Sequence, residues 1–108
     1  MTSPLTTHIL DATSGSPATG VEVVLTDAEG AELARGTTDA DGRLGLGAGS
    51  LASGDYALSF ATRAYFSARG VDAFYPSVSV SFTVVDPDRH YHVPLLLSPF
   101  AYSTYRGS

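Results

Sequence analysis

Between Ser77 and Val84 the chain alternates with a period of two: Val78, Val80, Phe82 and Val84 are apolar, and Ser77, Ser79, Ser81 and Thr83 carry hydroxyls. A helix cannot use that pattern, because its side chains step round by about 100° per residue, whereas those of a strand point to opposite faces. The segment therefore predicts a strand with one dry and one wet face, ended by Asp86-Pro87.

The same signature recurs more weakly elsewhere. Leu5 to Asp11, Val21 to Thr26, Ala31 to Thr38, Tyr56 to Phe60, His90 to Leu97 and Phe100 to Arg106 read as strands. Turn signals at Ser14 to Pro17, Glu29-Gly30, Asp39 to Gly42 and Ser98-Pro99 separate them, and the Gly- and Ser-rich stretch Leu46 to Gly54 reads as a loop. One short helix is expected over Arg63 to Arg69, capped by Thr62 and stopped by Gly70. Seven or eight strands and one helix in 108 residues predict an all-β sandwich, a single domain over 1–108, since no repeat or long linker divides it. With 44% hydrophobic and 16% charged residues, the chain can bury a core and is too apolar for disorder.

What is missing removes whole chemistries. There is no Cys, so no thiolate nucleophile, disulfide or zinc ribbon is available. Lys is absent as well, which excludes a Schiff base and a Walker-type phosphate loop. Without Asn there is no N-glycosylation sequon. Six Arg against eleven acidic residues give a net charge of −5, and no basic cluster offsets it, so nucleic acid is not an expected partner. No run approaches the ~20 apolar residues of a membrane span. Met1-Thr2-Ser3-Pro4-Leu5 lacks the charged leader and apolar core of a signal peptide, and Arg106-Gly107-Ser108 is not a peroxisomal address. The expectation is a cytoplasmic protein with no membrane partner.

Sorting strand residues by face isolates a second surface. In the run from His90 to Leu97, Tyr91, Val93, Leu95 and Leu97 make the natural core face, leaving His90, His92, Pro94 and Leu96 pointing away. In the first run, Leu5, Thr7 and Ile9 fall together, with Thr6, His8 and Leu10 opposite. The last run divides into Ala101, Ser103 and Tyr105 against Tyr102, Thr104 and Arg106. An outer face that mixes apolar side chains with imidazoles predicts an oligomer with polar groups trapped in its interface.

The three histidines, His8, His90 and His92, admit three readings. His-x-His on one strand face is a zinc-ligand spacing, and His8 would complete a three-His site, although no acidic partner for the imidazoles is apparent. Ordinary surface histidines are the bland alternative. The third is a metal-free acid–base site, since imidazole titrates near neutrality. Asp39-Ala40-Asp41-Gly42 resembles a calcium loop only superficially, because its glycine comes too early and Arg43 puts a cation where a ligand belongs. No Gly-x-Ser-x-Gly elbow occurs, which argues against a serine hydrolase. Arg43 is either a solvated residue after a turn or a bidentate clamp for a planar, oxygen-rich ligand. The residues from Tyr105 to Ser108 would by default fray.

Several motifs together resemble a known family. His8-Ile9-Leu10-Asp11 followed by Gly15-Ser16-Pro17-Ala18 is similar to the opening of the transthyretin family, and Asp41-Gly42-Arg43 and Phe74-Tyr75-Pro76 match its middle. The stretch from His90 to Phe100 and the closing Tyr102 to Ser108 resemble the C-terminal signature of its 5-hydroxyisourate hydrolase branch. The Tyr105-Arg106-Gly107-Ser108 tetrapeptide is the specific part, because it separates those hydrolases from hormone-carrying transthyretins. The resemblance covers almost the whole chain.

It implies a transthyretin-like sandwich of two four-stranded sheets with one short helix, assembled as a homotetrameric dimer of dimers with active sites in the channel between dimers. It further implies hydrolysis of 5-hydroxyisourate to 2-oxo-4-hydroxy-4-carboxy-5-ureidoimidazoline in urate breakdown, with no cofactor and no metal. Carried over residue by residue, His8, Arg43, His92 and Ser108 would be catalytic, and His8, Arg43, Tyr105 and Arg106 would bind substrate. The alternatives are a non-catalytic carrier using the same channel, a purely structural subunit, and a zinc hydrolase. Two imidazoles and a guanidinium make the channel too polar for a carrier of apolar ligands.

Overall fold

The computed structural model describes residues 4–47 and 50–107. The strands are β1 (Leu5–Asp11), β2 (Ser16–Pro17), β3 (Glu22–Asp27), β4 (Glu32–Thr37), β5 (Arg43–Leu46), β6 (Gly54–Phe60), β7 (Val78–Val84), β8 (Tyr91–Ser98) and β9 (Ala101–Thr104). Among the described residues a single helix, α1 (Thr62–Ser67), follows β6. Two sheets form, one ordered β4-β3-β6-β7 and the other β2-β1-β8-β9, with β5 also beside β1.

The second sheet holds five strands yet is only four positions wide. Antiparallel β5 takes up Leu5 to His8 along one edge of β1, and antiparallel β2 takes up Leu10 and Asp11 further along the same edge. The other edge of β1 runs parallel to β8, from Leu5 beside Tyr91 to Asp11 beside Leu97.

Both sheets turn their apolar sets inward. Leu5, Ile9, Leu95 and Leu97 from one meet Val23, Leu25, Leu58, Phe60, Val78 and Val84 from the other, all buried. At about 25 cal/mol per Å² this shared burial is what holds the sheets together. α1 closes one end by inserting Tyr65 and Phe66. There the phenol of Tyr65 donates to Oδ2 of buried Asp11 at 2.8 Å, and the amides of Thr13 and Ser14 donate to its Oδ1. Burial, and then the carboxylate, push the Tyr65 phenol up to about 12. Arg69 lays its guanidinium 3.7 Å over the same ring.

Three local expectations are corrected. Thr62 does not cap the helix: Ala61 holds that position, no side chain caps it, and Thr62 Oγ1 is buried without a hydrogen-bond partner among the described residues. Ala61, whose amide still bonds to Glu22 O at 3.0 Å as β6 ends, leads straight into the helix, which therefore starts at Thr62, one residue earlier than a Thr62 cap requires. The helix also ends earlier, at Ser67, although Gly70 with φ +71° does turn the chain as expected. Finally, Ser16–Pro17 is a strand rather than part of a turn, and Leu46, expected in a loop, ends the strand Arg43–Leu46, because each segment finds unpaired backbone on the edge of β1.

Candidate active site

The face of the β1 sheet turned away from the core carries the histidines. Thr6 and His8 project there from β1, flanked by β5 on one side and β8 on the other. Register pairs His8 directly with Arg43, and sets Thr6 between Gly45 and His92. Side chains so paired are neighbours on one face.

The turn before β5 fixes where Arg43 stands. Oδ1 of Asp39 accepts the amides of Asp41 at 2.9 Å and of Arg43 at 3.0 Å. Gly42 closes the turn with φ +74°, and its carbonyl accepts the Ile9 amide at 2.8 Å. A Cβ there would stand 2.5 Å from Ile9 O, so both the conformation and the close approach to β1 require glycine. Arg43 is exposed and makes no ion pair or hydrogen bond with its side chain among the described residues.

Gly45 has no side chain to place beside Thr6, and a cavity of about 380 Å³ opens there, lined by Thr6, Asp39, Arg43, Gly45, His90 and His92 among others. That volume suits a small ligand. Thr6 Oγ1 lies 2.9 Å from Nδ1 of His92 and 2.8 Å from Nε2 of His90. The half-buried His92 imidazole is pushed below the usual histidine range, first by desolvation and then by the positive charge of Arg43 and the neighbouring His8 and His90. The shift favours the uncharged form of the ring.

The C-terminal segment comes back to this strand. The Gly107 amide donates to the His92 carbonyl at 2.9 Å, in the same antiparallel register that pairs β9 with β8. Strand alternation puts Tyr105 on the His92 side of the sheet, where it is largely exposed. Arg106 goes the other way, its guanidinium 5.6 Å from the ring centre of Tyr91, which belongs to the core face. Ser108 lies outside the described residues.

Of the residues singled out from sequence, His8, Arg43 and His92 thus share one face, Tyr105 borders it, and Arg106 is turned onto Tyr91. Among the described residues, no three His, Asp or Glu side chains come together as metal ligands, so the three histidines do not form the set that a three-His zinc site needs. The arrangement offers an imidazole biased towards its neutral form, a guanidinium unpaired among the described residues and a hydroxyl around one open cavity. Such a set can take a proton from water while stabilising negative charge on an oxygen. Sequence reasoning did not single out Thr6, Asp39 or Gly107. Thr6 left a signal all the same, since period two puts it on the face of His8.

Comparisons with known proteins find relatives over nearly the whole chain. The family model described as HIUase/Transthyretin family matches residues 5–107. The chain is 50% identical to the 5-hydroxyisourate hydrolase of Caulobacter vibrioides, over 98% of this chain and 99% of that one. It is 47% identical to the 5-hydroxyisourate hydrolase of Salmonella typhimurium, covering 96% of this chain and 80% of the relative. Among solved structures, that of Klebsiella pneumoniae 5-hydroxyisourate hydrolase superposes with a TM-score of 0.90 at 41% identity, covering 96% of this chain and 98% of that one. Sea bream transthyretin in complex with thyroxine superposes with a TM-score of 0.88 at 36% identity, covering 96% and 94%.

Proposed function

The chain belongs to the HIUase/transthyretin family, and we propose the route by which it hydrolyses 5-hydroxyisourate in purine catabolism. The observation that carries the reading is the unpaired Arg43 guanidinium, set beside His8 and on the same cavity as a His92 biased towards its neutral form.

The substrate is a planar, electron-poor bicycle rich in carbonyls. Its opening requires water to add to the lactam carbonyl of the larger ring and the ring nitrogen to leave with a proton. His92, with no partner on Nε2 among the described residues, takes the proton from water as the C–O bond forms. Arg43 holds the carbonyl oxygen and stabilises the oxyanion. Collapse of the tetrahedral intermediate breaks the C–N bond, and the proton held by His92 passes to the leaving nitrogen. His8 assists from the neighbouring position on β1. Tyr105 orients the ring system, Arg106 adds positive charge from the adjoining cavity that it lines with His92 and Tyr105, and Ser108 joins the acid–base set on the strength of the tail's likeness to the family's tetrapeptide.

The reading takes the chain as one domain, 1–108, because a single hydrophobic cluster draws on both sheets. It also takes the working form to be a homotetramer, a dimer of dimers with the site in the channel between them. Two features support that. β7 and β9 are edge strands, and they border one cavity of about 270 Å³ on the same open side of the sandwich. Phe100, Tyr102 and Tyr105 are exposed aromatics on the sheet that carries the site. No helix among the described residues is long and apolar enough to cross a membrane; the cytoplasmic location expected from sequence remains part of the proposal and is checked by fractionating cells that express the chain.

The test is an ultraviolet time course of freshly generated 5-hydroxyisourate with the protein, with and without chelator. Accelerated decay that resists the chelator and is lost in His92→Ala supports the route. Decay lost on chelation replaces it with metal-assisted hydrolysis. Decay at the spontaneous rate from a folded tetramer, with aromatic ligands binding the channel, replaces it with the carrier.

A further inference from the structure

Thr6 stands at the centre of the imidazole pair. One hydroxyl oxygen lies within hydrogen-bond distance of two ring nitrogens, Nε2 of His90 at 2.8 Å and Nδ1 of His92 at 2.9 Å. A threonine hydroxyl has one proton to give. When it is directed at one ring, the other ring must present an N–H to the oxygen, so the tautomers of the two histidines are tied together. Thr6 itself is held by backbone pairing on both sides, to Gly45 of β5 and His92 of β8, which fixes the main chain from which its hydroxyl reaches both rings.

We propose that Thr6 is a positioning residue for the hydrolysis, setting the tautomer of His92 and linking its imidazole to that of His90 through a hydroxyl relay. The proposal rests on the reading of His92 as the base. In the receptive arrangement Nδ1–H of His92 donates to Thr6 Oγ1 and the Thr6 O–H donates to Nε2 of His90. That leaves the lone pair of His92 Nε2 available for water. When water gives up its proton to Nε2, the Nδ1 proton moves to Thr6 and the Thr6 proton moves to His90. His92 ends neutral, with its proton on Nε2, and the positive charge rests on His90. The reverse shift returns the proton to His92 as the C–N bond breaks and the nitrogen leaves, so the cycle needs no other reactant.

The relay has an electrostatic purpose. Arg43, His8 and His90 all disfavour charge on the His92 ring, and Arg43 shares the cavity with it. An imidazolium held at His92 would face that guanidinium directly. Moving the charge to His90, the more exposed ring, places it further into solvent. Asp39 is the carboxylate on the cavity wall, and its Oδ1 is already engaged by the amides of Asp41 and Arg43.

The experiment compares Thr6→Val, which keeps the shape and removes the hydroxyl, with Thr6→Ser, which keeps the hydroxyl. Thr6→Val is expected to lower kcat by about 10- to 100-fold, the range of a positioned proton-transfer group, with KM changed less than about threefold. Thr6→Ser is expected to restore most of that rate. In ¹⁵N spectra, the ring nitrogens of His92 should report one dominant neutral tautomer in the parent and Thr6→Ser proteins, and a mixture in Thr6→Val. Wild-type kcat and unchanged His92 shifts in Thr6→Val would overturn the relay while leaving His92 as base. Full activity in His92→Ala would instead overturn the reading beneath it. Should Thr6→Val fail to fold, His90→Phe tests the far end: an unchanged kcat and unchanged His92 shifts there also overturn the relay.

Discussion

Gly107 is packed directly on His92: its amide is bonded to the His92 carbonyl, and a Cβ added to it would run into Cδ2 of the imidazole and stand 3.0 Å from Cγ. The tail therefore braces one edge of the ring while Thr6 holds Nδ1 on another. A methyl group at this position must displace either the tail or the ring. Gly107→Ala is expected to reduce kcat/KM at least tenfold with little change in Tm, because the contact lies outside the core. Unchanged kinetics in a folded Gly107→Ala protein would show that the imidazole is not held by the tail.

The lowered proton affinity of His92 has a pH signature. Its neutral form persists below the ordinary histidine value of about 6.5, so kcat/KM should stay level from pH 8 to below that value before falling. Replacing Arg43 with Gln removes the second cause and leaves desolvation and the neighbouring His8 and His90, so the acid limb should move part of the way back up as the rate drops. An acid limb at the same pH in both proteins would contradict the electrostatic link. Stability follows the same sign. Because the folded value lies below the unfolded one, the unfolded chain binds more protons in that window and stability declines as pH falls through it.

Gly42 is where the fold positions the guanidinium. Gly42→Ala forces a side chain into the left-handed region and against the Ile9 carbonyl, at a cost of about 1–3 kcal/mol. Urea unfolding should show that loss, and KM should rise because Arg43 no longer stands opposite His8. A variant with parent stability and KM would mean that the turn tolerates another conformation.

The Asp11–Tyr65 pair gives a prediction confined to stability. Tyr65→Phe leaves buried Asp11 with two amide donors and removes the phenol, at a cost of about 1–3 kcal/mol. Activity in the folded variant should be unaltered, since the pair lies at the helix end of the sandwich. A large drop in kcat without loss of stability would tie α1 to the site.

Period-two patterning located most of the sandwich. Leu5 to Asp11 is a strand with the residue limits expected, and the Val78 to Val84 strand falls where its alternation is strongest. β5 was hidden because its four residues stand beside a Gly-rich stretch and owe their extended state to the edge of β1. The histidines and Arg43 stood out as residue types, but their convergence depends on which strands pair across long separations, and side-chain periodicity carries no record of that. Thr6 was on the right face, yet hydroxyls are so common in this chain that none could be distinguished. Arg106 was the reverse case. Alternation already put it opposite Tyr105, and the structure follows alternation by laying it on Tyr91.

The parallel pairing of β1 with β8 joins Thr6 to a histidine 86 residues away. Closing a loop of that size costs conformational entropy before any contact repays it, and such non-local pairing slows folding. On a ribosome, the first half of the machinery waits, exposed, until nearly the last strand has emerged. The face with Thr6 and His8 then spends most of synthesis without its partner strand. Catalytic competence therefore appears late and all at once, and a product cut short before β8 is inert rather than partly active.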